Sequence, residues 1–148
     1  MKINITENIK ISMRGYTIIN VNAYWEENGR RYAVKACDGL KIDSNDKEVI
    51  LRGSYDGRNV EWKLCDKGNY ITAELTIQSK NEVYIDALCA FRGEIKPEEA
   101  NQKFLKVPFD NDDWVKFESK EYSKSEMGYG VSAVYNQNGA LIIGALEY

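Results

Sequence analysis

Apolar and polar residues alternate with a period of two along almost the whole chain, and Gly, Asn and Asp clusters interrupt the alternation every ten residues or so. That pattern predicts strands joined by tight turns. Tyr16 to Glu26 reads as a strand with Ile19, Val21, Ala23 and Trp25 on one face. Asn28-Gly29, the strongest short hairpin signal, turns it into a return strand from Arg31 to Cys37 with Tyr32, Val34 and Ala36 facing one way. Glu48 to Tyr55 and Asn59 to Cys65 form a second hairpin across Asp56-Gly57, and Val60, Trp62 and Leu64 alternate on its return strand.

The cleanest alternation is Tyr70 to Gln78, where Ile71, Ala73, Leu75 and Ile77 face a core and Thr72, Glu74, Thr76 and Gln78 face water. Glu82 to Arg92 is apolar on both faces and so predicts a central strand covered on both sides. The stretch from Pro97 to Lys103 opens with Pro and two Glu, favourable in a first helical turn, and predicts a turn or two of helix. Phe104 to Val107, Val115 to Glu118, Ser125 to Tyr135 and Ala140 to Glu147 complete the strands, with Asn136-Gln137-Asn138-Gly139 as a third hairpin turn. The expected fold is all-β, an antiparallel β-sandwich with at most one short helix. With 148 residues and no linker or internal repeat, the chain reads as one domain over 1–148.

One segment carries chemistry that the alternation does not explain. Asp110, Asn111, Asp112 and Asp113 stand together between two strand-like runs and end in the indole of Trp114. Carboxylate and amide oxygens accept hydrogen bonds from sugar hydroxyls, while an aromatic face covers the apolar face of a pyranose. The loop therefore suits carbohydrate contact through Asp110, Asn111, Asp112 and Trp114. Two other readings stand beside it: an Asx-turn whose oxygens bond neighbouring amides, and a calcium loop. The EF-hand spacing fails, because Val115 stands where the loop needs Gly, and no metal is assigned. Trp25 and Trp62 sit in register with apolar neighbours and belong to the core. Tyr24, Tyr32, Tyr55 and Tyr129 could serve as stacking platforms, but aromatics are enriched in strands for packing reasons too.

Composition removes several classes of function. Without a single His the chain lacks the commonest general base and the usual neutral metal ligand, which excludes Ser-His-Asp and Cys-His chemistry. Glycoside hydrolysis needs two carboxyl groups roughly 5 to 9.5 Å apart, one of them in an apolar pocket. Neighbours on one wet acidic turn seldom supply that, so no catalytic residue and no cofactor is expected. Twenty Lys and Arg are interspersed with 23 Asp and Glu for a net charge of −3, unlike the basic footprint of a nucleic-acid binder. No apolar run approaches the roughly 20 residues of a membrane span, and the first residues lack a signal-peptide core, so the expectation is a cytoplasmic chain. Cys37, Cys65 and Cys89 are odd in number and lie in apolar runs, as small buried hydrophobes would.

The segment from Phe104 to Val115, with the later run Tyr129 to Asn136 and the ending Asn138 to Glu147, resembles the N-terminal β-sandwich of bacterial α-galactosidase-like glycoside hydrolases. The resemblance covers roughly the last third of the chain. It implies a supersandwich of galactose-mutarotase-like type that packs on a catalytic (β/α)8 barrel, with Asp110, Asn111, Asp112 and Trp114 reaching toward the sugar site. The catalytic aspartates of such enzymes belong to the barrel. A barrel takes roughly 250 residues, so the resemblance implies that this chain is an N-terminal fragment of a longer enzyme. The strand that runs to Tyr148 with no polar tail points the same way. The implied partners are carbohydrate and the barrel of the parent chain, with neither nucleic acid nor membrane. Two rivals remain: a stand-alone carbohydrate-binding module, and a structural interaction domain.

Overall fold

A computed structural model describes residues 2–5, 8–99, 101–106, 118–121 and 131–144. Thirteen strands make up the described chain, with one short 3-10 turn at Val34–Ala36 and no α-helix. The sheets are antiparallel and the fold is all-β, as the alternation predicts. The chain forms two compact units, residues 1–94 and 95–148.

Unit 1 contains two sheets. The first joins β1 (Lys2–Ile5), β2 (Ile9–Met13), β3 (Tyr16–Glu27) and β4 (Arg30–Ala33), and β9 (Ala87–Pro97) also pairs with β3. The second runs β5 (Asp38–Ser44), β6 (Glu48–Tyr55), β7 (Arg58–Asp66) and β8 (Ile71–Gln78) in sequence order. Ile9, Ile11, Ile18, Val21, Ala23 and Trp25 of the first sheet are buried, and so are Val49, Leu51, Val60, Trp62 and Leu64 of the second. Side chains join the sheets: the Tyr55 ring meets Trp25 edge-on, Arg58 pairs with Glu27, and the Trp62 indole N–H donates to the Ala90 carbonyl at 2.8 Å.

The turns form where their residues predict. Asn28 and Gly29 have φ of 50° and 70°, and Asp56 and Gly57 have 48° and 73°. Positive φ at both central positions gives a type I′ turn, whose twist matches the flanking strands. Glu48–Tyr55 coincides with the expected strand, and Val60, Trp62 and Leu64 are all buried.

Four expectations need correction. The core face of β3 uses Ile18 rather than Ile19, because three residue steps from Ile18 to Val21 lie opposite two steps from Ile9 to Ile11. This is a β-bulge, and Asn20 at φ 55° takes up the extra residue; Asn tolerates the left-handed region better than a branched side chain. Beyond Ala33 the return strand gives way to the 3-10 turn, which buries Val34 and exposes Ala36. The both-faced apolar strand begins at Ala87 rather than Glu82 and has no fully buried residue. Leu88 is 57% exposed and Tyr84 is 80% exposed, so this is not a strand covered on both sides. The helix expected from Pro97 is absent among the described residues: Pro97 ends β9, and Asn101 adopts φ 60° just before β10 (Lys103–Lys106).

Unit 2 holds one sheet in the order β11 (Glu118–Glu121), β10, β12 (Val131–Asn136) and β13 (Gly139–Gly144). Phe104, Val134 and Leu141 are direct neighbours across three strands and form its buried row. The Asn136 and Asn138 side-chain amides both donate to Glu99 Oε2 at 2.8 Å, which fastens the third hairpin to the segment before β10.

Candidate functional site

Asp110, Asn111, Asp112 and Trp114 lie outside the described residues, as do Asp113 and Tyr129. Of the other tyrosines expected as stacking platforms, Tyr32 and Tyr55 pack with Trp25, while Tyr24 lies on the opposite side of β3. Trp25 is fully buried on the core face of β3, and Tyr32 is its direct cross-strand partner on β4. The Tyr32 ring stacks on Trp25 at 5.6 Å and meets Tyr55 at 4.7 Å, so these tyrosines close one part of the core. Their role is packing.

Tyr24 points the other way. Because Val21, Ala23 and Trp25 fill the core, strand alternation sends Asn22, Tyr24 and Glu26 to the outer face. Glu26 and Arg31 are direct partners on β3 and β4, and the Glu26 carboxylate accepts from Arg31 Nε at 2.8 Å and Nη2 at 2.6 Å. That contact holds the Arg31 guanidinium 4.1 Å above the Tyr24 ring. A second guanidinium, Arg92 of β9, stands 5.9 Å from the same ring. Cys89, also on β9, is half-buried beside Tyr24. Burial pushes the Tyr24 hydroxyl above its ordinary value, and the neighbouring Cys89 raises it further through charge and a side-chain hydrogen bond. At neutral pH Tyr24 therefore keeps its proton and can donate a hydrogen bond.

The Asn22 Oδ1 is buried and has no hydrogen-bond partner, a costly state. The outer face of β3 thus presents an aromatic ring, two guanidinium groups and a carboxylate. This set can hold a polar, hydroxyl-bearing ligand. The Asn28-Gly29 turn makes the Glu26–Arg31 pairing readable from sequence. Arg92 and Cys89 were missed because some sixty residues separate them from β3 and no local signal links them to it.

The two buried thiols behave as packing groups. Cys37, Cys65 and Cys89 are free, and Cys37 and Cys65 are buried. Burial pushes the Cys37 thiol up, with Asp38 adding to the effect. Burial also raises Cys65, whose thiol donates to Glu48 Oε1 at 3.2 Å. A thiol held protonated in the fold but free to ionise near pH 8.5 in the unfolded chain stabilises the fold fully only below that pH. The stabilisation is then lost as pH rises through the shifted value. The thermal midpoint should accordingly fall above about pH 8.5, and Cys37→Ala should flatten that fall in melts recorded across the alkaline range. An unchanged alkaline slope in the variant would show that this thiol contributes nothing.

Among the described residues no group of three or more His, Cys, Asp or Glu side chains is placed to hold a metal ion. Nor is any helix among them long and apolar enough to cross a membrane. Comparisons with protein-family models, curated proteins and solved structures found no match. The class that fold and site define is an all-β protein of antiparallel sheets with a polar, aromatic outer face.

Proposed function

We propose that the chain is a non-catalytic, carbohydrate-contacting β-sandwich module that works as the N-terminal accessory domain of an α-galactosidase-like glycoside hydrolase in the cytoplasm. On this reading it packs on the catalytic barrel and lends Asp110, Asn111, Asp112 and Trp114 to the sugar site. The observation that supports a saccharide ligand is the outer face of β3, where Tyr24, Glu26, Arg31 and Arg92 combine an aromatic ring with hydroxyl-binding groups. Exposed Tyr84 and Leu88 supply apolar surface of the kind a neighbouring domain covers.

A second reading, the stand-alone carbohydrate-binding module, is favoured by one feature of the Tyr24 cluster. All of its groups belong to unit 1 and need no barrel.

Isothermal titration of the chain with galactosides and mixed oligosaccharides separates the two. Binding that Tyr24→Ala weakens about tenfold or more, as truncating an anchor aromatic does, supports the stand-alone module. Binding lost in Trp114→Ala and kept in Tyr24→Ala supports the loop of the accessory-domain reading. If binding survives both substitutions, neither named surface carries it; if no saccharide binds the chain or its barrel-bearing parent, carbohydrate contact is wrong.

A further inference from the structure

Strand β8 closes one side of its sheet, and among the described residues nothing pairs with its outer edge. Edge strands offer unpaired N–H and C=O groups to any extended chain, and folded proteins usually blunt them with bulges, Lys or Pro. The opposite edge of the same sheet is blunted in this way: β5 shifts register between Asp38 and Lys41 and carries Lys41 and Asp43. β8 has none of these devices. Its register with β7 runs unbroken from Asn59↔Gln78 to Asp66↔Ile71, it contains neither Lys nor Pro, and its one charge is Glu74.

Its inner face is also incompletely covered. Ile71, Ala73, Leu75 and Ile77 lie opposite Asp66, Leu64, Trp62 and Val60 of β7, yet all four remain half-buried where their β7 neighbours Leu64, Trp62 and Val60 are buried. A strand added to this edge would bury them further and complete the backbone ladder.

We propose that the strand added is β8 of a second copy of this chain, paired antiparallel about a two-fold axis through Leu75. The register follows from parity and charge. Residues directly opposite one another share a face, so only pairings in which the two residue numbers sum to an even value match apolar with apolar. A sum of 148 sets Glu74 against Glu74 of the other copy, a like-charge contact that disfavours it. A sum of 150 sets Leu75 against Leu75 and Ala73 against Ile77 on the inner face. On the outer face it sets Thr72 against Gln78 and Glu74 against Thr76. Sums of 146 and 152 shorten the overlap. The result is a continuous eight-stranded sheet, an isologous dimer of the commonest symmetry.

The register makes the test specific, because Thr72 and Gln78 become cross-subunit neighbours while their β7 partners, Cys65 and Asn59, carry no charge. Sedimentation equilibrium of the whole chain from about 1 to about 100 µM should show a concentration-dependent dimer. Thr72→Lys with Gln78→Lys places two like-charge pairs across the junction and should weaken dimerisation about tenfold. Thr72→Lys with Gln78→Glu places opposite charges at the same positions and should preserve or tighten it. Far-ultraviolet circular dichroism of both variants checks that unit 1 stays folded. A wild-type chain that is monomeric throughout, or a dimer that responds alike to both double variants, overturns the proposal.

Discussion

Replacing Glu27 with Ala is expected to destabilise unit 1 by about 3–5 kcal/mol, the usual cost of removing one partner from a buried ion pair. Glu27 ends β3, and its side chain is 10% exposed against 11% for Arg58, which it meets from the other sheet. Its Oε1 accepts from Arg58 Nη1 and also from the Trp25 indole N–H at 3.0 Å. Truncation therefore strands two donors. The guanidinium keeps only Asp56, 3.7 Å away, and that carboxylate is largely exposed, where ion pairs contribute little. Glu27→Gln should cost less, because the amide oxygen still accepts one bond. A double variant with apolar residues of similar volume at 27 and 58 should recover much of the loss, since a well-packed apolar pair often matches a buried ionic one. Urea unfolding followed by Trp fluorescence measures all three; a loss below about 1 kcal/mol for Glu27→Ala would show that the pair is effectively solvated.

Trp62→Ala is expected to cost a comparable amount, about 3–5 kcal/mol. The ring is fully buried on β7 between Val60 and Leu64, and its removal opens a cavity that the paired strands on either side cannot collapse to fill. Trp62 does more than fill space, because its indole N–H reaches the Ala90 carbonyl of β9 in the other sheet. Trp62→Phe keeps most of the volume and drops that bond, which leaves a carbonyl without its donor and should cost about 1–2 kcal/mol. The difference between the Ala and Phe variants in the same urea titration separates packing from the inter-sheet hydrogen bond. Equal losses would mean that the ring contributes only through its polar atom.

How much was legible in the sequence depends on how local each feature is. The Asn28-Gly29 and Asp56-Gly57 turns were readable because positive φ is a property of the residues themselves. The burial of Val60, Trp62 and Leu64 was readable because one unbroken alternation fixes a face. The hairpin of β1 and β2 and the strand β5 went unread: β1 and β2 are short, and nearly every residue of β5 is exposed. The bulge at Asn20 was not legible either. An alternation of Ile18, Ile19 and Val21 permits two registers, and only the pairing with Ile9 and Ile11 selects one. At the candidate site the Glu26–Arg31 contact follows from the turn, while Arg92 and Cys89 reach Tyr24 through long-range pairing of β9 with β3.

Taken alone, the order of residues determined the all-β class, three of the hairpin turns and that Trp25 and Trp62 are core, since period, turn chemistry and apolar register act over a few residues. Tertiary structure decided that Tyr32 and Tyr55 close the core while Tyr24 lies on the other side of β3, where β9 begins, and that Glu27 and Arg58 meet in the interior. Those outcomes depend on which distant strands lie side by side, and a two-residue period says which side a residue takes without naming the partner across from it.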